Sequence, residues 1–372
     1  MNLDFTSEQE ILRDSARKFL ARKCPYARVK ELEESAAGYD PVPWAEMAKL
    51  GWLGWLFPEA YGGFEGQFTD LVIIQEEIGR AVFPSPFFST VIQCGLSLAI
   101  GGTEEQKKEL LGRIAEGGLI MALAQYEEEA DYDPANITMT ARSRGDRYVL
   151  HGRKMFVMDA NIAHKLLVAA KVENQGPTLF LVDAGNPGLT VGKIPTIGKD
   201  NNCEVVFNDV SVAAGNMVGP AGGAADILEA MNTKAAIAKS AEMVGGARAA
   251  IDIAAAYAKE RHQYGRPIGA FQAIQHYMAD MLLAYDAAHA FLYKAAGMVD
   301  RGEDASREAS VLKAWISEKY KFISERAIQI HGGIGTTREC NISLFYRKAK
   351  ACEYIAGDLD YHYEKVARAL IG

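Results

Sequence analysis

Apolar residues at the start of the chain recur at helical spacing. Ile11, Leu12, Ala16, Phe19 and Leu20 share one face, and Ser7 with Glu10 makes a capping box ahead of them. Pro41 and Pro43 punctuate before a second helical run, Trp44 to Leu50. Phe57-Pro58-Glu59-Ala60-Tyr61-Gly62-Gly63 reads as a loop, because proline and paired glycine do not sit inside a helix. Helical spacing returns from Phe68 to Val82, breaks at Pro84 and Pro86, and resumes from Phe87 to Ile100. Between residues 118 and 220 the pattern changes to short β-like runs: Leu119–Gln125, Ile137–Ala141, Tyr148–Leu150, Met155–Met158, Leu166–Ala170, Thr178–Val182, Leu189–Val191 and Val205–Val212. Turn residues such as Gly145-Asp146, Gly176-Pro177 and Asn186-Pro187-Gly188 separate them, which predicts a small all-β barrel or sandwich. Helical character then returns. Alanine-rich Ala224–Glu260 has high helix propensity, and Gln272–Arg301, Ser306–Ile330, Ile342–Ala356 and Leu359–Leu370 follow it. The expected fold class is α+β, with a helical domain over 1–117, a β domain over 118–220 and a second helical domain over 221–372.

Composition narrows the possibilities. A chain of 372 residues, 49% hydrophobic and 24% charged, is an ordinary globular protein able to bury a substantial core. A net charge of -8 leaves no basic stripe for nucleic acid. Arg347, Lys348 and Lys350 do cluster, either as a solvated helix face or as a phosphate contact. The five cysteines, Cys24, Cys94, Cys203, Cys340 and Cys352, are far apart and have neither metal-ligand nor disulfide-framework spacing. The expected metal content is none, and the expected compartment is reducing and cytoplasmic. The N-terminus does not read as a signal peptide, and no apolar run reaches the roughly 18–20 residues that span a bilayer.

Two segments carry chemistry. One is Glu260-Arg261-His262-Gln263-Tyr264-Gly265-Arg266-Pro267-Ile268-Gly269-Ala270-Phe271-Gln272, and the other is Gln329-Ile330-His331-Gly332-Gly333-Ile334-Gly335. With Phe57-Pro58-Glu59, the run Val205–Val212 and the stretch Arg347–Gly357, they resemble the FAD-dependent acyl-CoA dehydrogenases over nearly the full length. The resemblance implies a C-terminal four-helix bundle, a homotetramer with FAD across two subunits, an acyl-CoA substrate and an electron-transfer flavoprotein as acceptor. It implies that Arg261, Tyr264 and Gln272 meet the phosphates and adenosine part of FAD, a role that suits the fixed donor fork of arginine. Gln329, Gly332 and Gly333 would meet the pyrophosphate from a neighbouring subunit, where glycine lets backbone N–H groups approach an anion. His331 reads as a structural side chain.

The resemblance sets Phe156 against the flavin ring, beside Gln125, Val157 and Met158, although an aromatic in a β run otherwise belongs to a core. Many members carry a threonine where this chain has Met158, which cannot donate a hydrogen bond. Asp358 matches a cofactor-contacting position, and Phe88, Thr90, Tyr132, Ala235 and Tyr354 match the substrate site. Glu127-Glu128-Glu129 stands where many members have a Gly-rich loop, and it reads as a solvated loop because inward glutamates would repel phosphates.

The largest departure lies at residue 356. The family's chemistry needs a base for the α-proton and a hydrogen-bonded site for the thioester oxygen. Where members carry the glutamate base this chain has Ala356, and at the second position used in the family it has Ala235. Ala356 keeps its backbone N–H, so the oxygen site can survive without the carboxylate. Three readings follow. The chain is a dehydrogenase of a cyclic or already unsaturated acyl-CoA with a relocated base, for which Asp131, Tyr126 and Tyr132 are candidates. Alternatively it is the base-free subunit of a hetero-oligomer, or it performs non-redox flavin-dependent elimination.

Overall fold

A computed structural model describes residues 5–129 and 131–371. Contacts gather the chain into two compact units. Segments through Glu31, Phe68–Phe83 and from Ala236 onward form a helical unit, and Leu32–Gln67 with Pro84–Ala235 form a sheet-bearing unit.

Among the described residues the sheet-bearing unit holds eight strands: β1 (Met121–Ala124), β2 (Thr140–Arg144), β3 (Arg147–Met158), β4 (Lys165–Val172), β5 (Gly176–Asp183), β6 (Leu189–Lys193), β7 (Asn202–Ala213) and β8 (Met217–Val218). Seven of them run in the order β6-β7-β3-β2-β4-β5-β8, and β1 pairs with β4. The β1–β4 and β2–β4 pairings are parallel. Leu150, Leu166, Val168, Phe180, Val205 and Phe207 alternate inward to make one core. The two short runs expected at 148–150 and 155–158 are a single strand, β3. The run expected at Ile137–Ala141 begins only at Thr140, because the N–H groups of Thr138 and Met139 donate to the Glu127 carboxylate instead of to a strand. Phe88–Gly95 winds as a π-helix before Leu96–Gly101 returns to α geometry. Such turns are rare and concentrate at functional sites.

The helical unit contains Ser7–Lys23, Phe68–Ala81, most of Ala224–Glu260, Gln272–Asp300, Ser306–His331, Ile342–Cys352 and Leu359–Ile371. The first helix is capped by Thr6 with Gln9 rather than by Ser7 with Glu10. Both pairs have capping-box spacing, but Thr6 is the residue in extended geometry. Pro41 opens its helix at the first turn behind the Asp40 cap, so that helix starts ahead of Trp44. Two helices cross at bare backbone: a Cβ on Gly245 would stand 1.8 Å from the Glu76 carbonyl, and one on Gly79 would stand 1.9 Å from the Glu242 carbonyl. Among the described residues no helix is long and apolar enough to cross a membrane.

Candidate active site

In the sheet-bearing unit the site is built on an irregularity of β3. Lys154 pairs with Val205 and Val157 with Cys203, so one extra residue is accommodated between them. The resulting β-bulge turns Phe156 into the left-handed region (φ 53°) and aims its ring outward, where it is 47% exposed. Phe156 is therefore not core. Val157 returns to the core, and Met158 is half-buried.

A buried ion pair braces the bulge. Lys154, fully buried, donates to Glu127 at 2.7 Å and to the Gln125 carbonyl at 3.1 Å. Glu127 also accepts from the N–H groups of Thr138 and Met139 and from the Thr138 hydroxyl. Burial would raise the Glu127 carboxyl, but Lys154 and these donors hold it below its ordinary value. Burial lowers the Lys154 ammonium to about 8 despite the partner. Glu127 is thus not part of a solvated loop; it is the counter-charge of an interior lysine. Glu128 and Glu129 are exposed.

The brace brings Gln125, Tyr126 and Phe156 together, with the Met155 N–H donating to the Tyr126 carbonyl. The side-chain Nε2 of Gln125 is buried beside the Tyr126 phenol. Tyr126 meets Tyr132 edge-to-face at 5.4 Å, and burial pushes its phenol well above its ordinary value. Asp131 is exposed and spends both oxygens locally, on the Asp133 N–H and the Asn136 amide. Thr90 uses its hydroxyl to pair with the backbone of Met121, while Phe88 and Ala235 are buried.

In the helical unit Arg261 follows the long helix and opens a small exposed hairpin that ends at Gln272. Tyr264 (φ 53°) and Gly265 (φ 78°) make its turn, which leaves the Tyr264 ring 93% exposed. Arg266 stacks over Phe271. Gln329 and Gly333 are exposed at the end of helix Ser306–His331. Gly332 adopts φ 68°, ψ -150°, a conformation essentially restricted to glycine. Among the described residues, adjacent ones aside, nothing lies within 4 Å of where a Cβ on Gly332 or Gly333 would sit. His331 stacks on Tyr257 at 4.3 Å and bonds the Ala327 carbonyl, a packing role.

The loop around residue 356 follows a helix that ends at Cys352, four residues earlier than its apolar pattern suggested. Ala356 has φ 60° and Gly357 φ 98°, two consecutive left-handed residues that no α-helix accommodates. Tyr354 is 54% exposed and Ala356 is buried. Asp358 accepts from the Tyr361 N–H and caps the last helix, and Glu353 pairs with Lys350. Two side chains without a motif complete the loop. Lys313, wholly buried, donates to the carbonyls of Glu353 and Gly357, each at 2.9 Å, and to Ser317 at 3.1 Å. His362 Nε2 donates to the Ala356 carbonyl at 2.9 Å. The one signal for Lys313 was a lysine among Ala309, Ile316, Ser317 and Tyr320, the buried face of its helix.

The chain belongs to the acyl-CoA dehydrogenase family: it matches the family's N-terminal domain over residues 6–118, its middle domain over 122–210 and its C-terminal domain over 222–371. Cyclohex-1-ene-1-carbonyl-CoA dehydrogenase of Geobacter metallireducens is 32% identical over 98% of each chain. The caffeyl-CoA reductase-Etf complex subunit CarC of Acetobacterium woodii is 31% identical over 93% of each. A solved steroid ACAD, Tcur3481-Tcur3483, is 31% identical with a TM-score of 0.88, covering 98% of this chain and 97% of that one.

The protein is an oxidoreductase of the CH–CH class, and FAD is the cofactor of its family. The residues present fit that cofactor: within the sheet-bearing unit Phe156 offers an exposed ring face and Gln125 a buried amide, and within the helical unit Gly332-Gly333 offers an approach clear of side chains among the described residues.

Proposed function

We propose that this chain takes part in the FAD-dependent dehydrogenation of a cyclic or already unsaturated acyl-CoA, with no proton acceptor at residue 356. The observation that carries this reading is the Glu353–Gly357 loop. It keeps a costly left-handed shape and its side-chain braces, yet it presents a methyl group where the chemistry asks for a carboxylate. On this reading Phe156, Gln125, Met158, Arg261, Tyr264, Gln272, Gln329, Gly332, Gly333 and Asp358 hold FAD. Phe88, Thr90, Tyr132, Ala235 and Tyr354 border the acyl-CoA, and the Ala356 N–H binds its thioester oxygen. FAD, when bound, supplies a hydride acceptor. A substrate with a ring or an existing double bond can lose its proton from a carbon other than the one that faces residue 356. The relative named for cyclohex-1-ene-1-carbonyl-CoA supports this substrate class, and the relative named for an Etf complex supports an electron-transfer flavoprotein as acceptor. A homotetramer remains the assembly that the family resemblance proposes.

A second reading is favoured by the state of the candidate bases. Asp131 is exposed and spent on its own turn, and burial makes the Tyr126 phenol a weak proton acceptor at neutral pH. A base supplied by a different chain fits these facts, and the steroid ACAD is named as a pair of components.

Anaerobic spectroscopy of the FAD-loaded chain with linear and cyclic acyl-CoA esters tests the proposal. Bleaching of the flavin band by cyclohex-1-ene-1-carbonyl-CoA, without bleaching by butyryl-CoA, is the expected result. Failure of every cyclic and unsaturated ester, with thioester binding intact, would overturn the first reading in favour of the second.

A further inference from the structure

The loop at residue 356 is held from outside by two side chains that the proposed chemistry does not use. Lys313 sits on helix Ser306–His331 with its side chain wholly buried, and its three donors meet three acceptors: the carbonyls of Glu353 and Gly357 and the Ser317 hydroxyl. His362 sits on helix Leu359–Ile371, 3% exposed. Since its Nε2 meets the Ala356 carbonyl at 2.9 Å, that nitrogen carries the proton, and the buried Nδ1 has no hydrogen-bond partner among the described residues. Three carbonyls of a five-residue loop are thereby fixed by groups from two different helices.

The loop needs such fixing. Alanine in the left-handed region is strained by its Cβ, and a residue held there persists only where its surroundings over-determine it. A Cβ on Gly357 would come within 2.6 Å of His362 Nε2 and of the Tyr361 ring, so the histidine is packed against the backbone that it bonds. Buried groups at this cost are poor connectors. Burial lowers Lys313 to about 7 and His362 to about 3, and an apolar pair of similar volume would carry no such penalty.

We propose that Lys313 and His362 are positioning residues for the thioester carbonyl, clamping the Glu353–Gly357 loop in the left-handed shape that presents the Ala356 N–H. This rests on the reading that Ala356 binds the thioester oxygen. Neither side chain needs to touch substrate; their effect runs through the direction of one backbone N–H.

The test uses FAD-loaded protein and butyryl-CoA labelled with carbon-13 at the thioester carbonyl. Isotope-edited infrared spectra read how far binding lowers the carbonyl stretch. Affinity for the thioether analogue, which lacks the carbonyl, reports pocket integrity. Wild type is expected to lower the stretch. Lys313→Met and His362→Leu are expected to lose most of that lowering and to bind butyryl-CoA about tenfold more weakly, the worth of roughly one well-aligned hydrogen bond. Their affinity for the thioether should stay near that of wild type. His362→Gln, which keeps an N–H donor, should restore the lowering. If Lys313→Met does not fold, the histidine pair decides. Wild type and His362→Leu lowering the stretch equally would overturn the clamp while leaving the role of Ala356 standing. No lowering in wild type would overturn the role of Ala356 itself.

Discussion

Lys154 illustrates what a single position does and does not disclose. A lysine inside a strand pattern reads as a solvent-facing residue, yet this one is wholly buried against Glu127. Breaking a buried pair by removing one partner strands a charge, at a cost of about 3–5 kcal/mol. Glu127→Ala is expected to lose stability on that scale in urea unfolding. The double variant with Lys154→Met should recover most of the loss, and additive losses would contradict the pairing. Glu76 offers a pH test. Burial, with Glu77 adding to it, lifts its carboxyl from 4.5 to about 7, while the Tyr293 hydroxyl donating at 2.5 Å pulls the other way. Between those values the folded chain binds a proton that the unfolded chain releases, so this group loses stability as pH rises. His362, lowered from 6.5 to about 3, contributes with the opposite sign over an overlapping range but is common to both proteins compared. The stability of wild type relative to Glu76→Gln should therefore fall from about pH 4.5 to 7, and a flat difference would contradict the shift.

Elements were legible where period and propensity agreed. Ala224–Glu260 begins and ends where the alanine-rich stretch does, and Gln272–Asp300 and Ser306–His331 end within a residue of expectation. Irregular features were not legible, because they depend on partners distant in sequence. The bulge that turns Phe156 outward follows from its register with β7, and the π-helical turn at Phe88–Gly95 interrupts a stretch whose apolar spacing reads as ordinary α-helix. The Tyr264-Gly265 turn lacked the usual Asn-Gly signature. The helix crossing yields a prediction at this scale. Gly245→Ala places a methyl group against the Glu76 carbonyl and should cost about 3 kcal/mol, the upper end for overpacking. A thermal midpoint unchanged from wild type would mean that the helices can separate without penalty.

At the scale of the molecule the family and its flavin chemistry were carried by short, ordered motifs, whereas the braces of the 356 loop were not. Lys313 and His362 precede and follow it on separate helices, and no local pattern links them to it. Arg261→Ala should release FAD on gel filtration, since an exposed arginine at a hairpin base has no interior packing to lose. Full retention would remove Arg261 from the cofactor site. The central claim is that the loop is intact and lacks only its base. The direct test is anaerobic flavin reduction by butyryl-CoA in wild type and Ala356→Glu, both loaded with FAD. The account predicts little bleaching in wild type and at least about 10²-fold faster bleaching in the variant, the contribution of one positioned base. Equal rates in the two proteins, with ester bound to both, would contradict it.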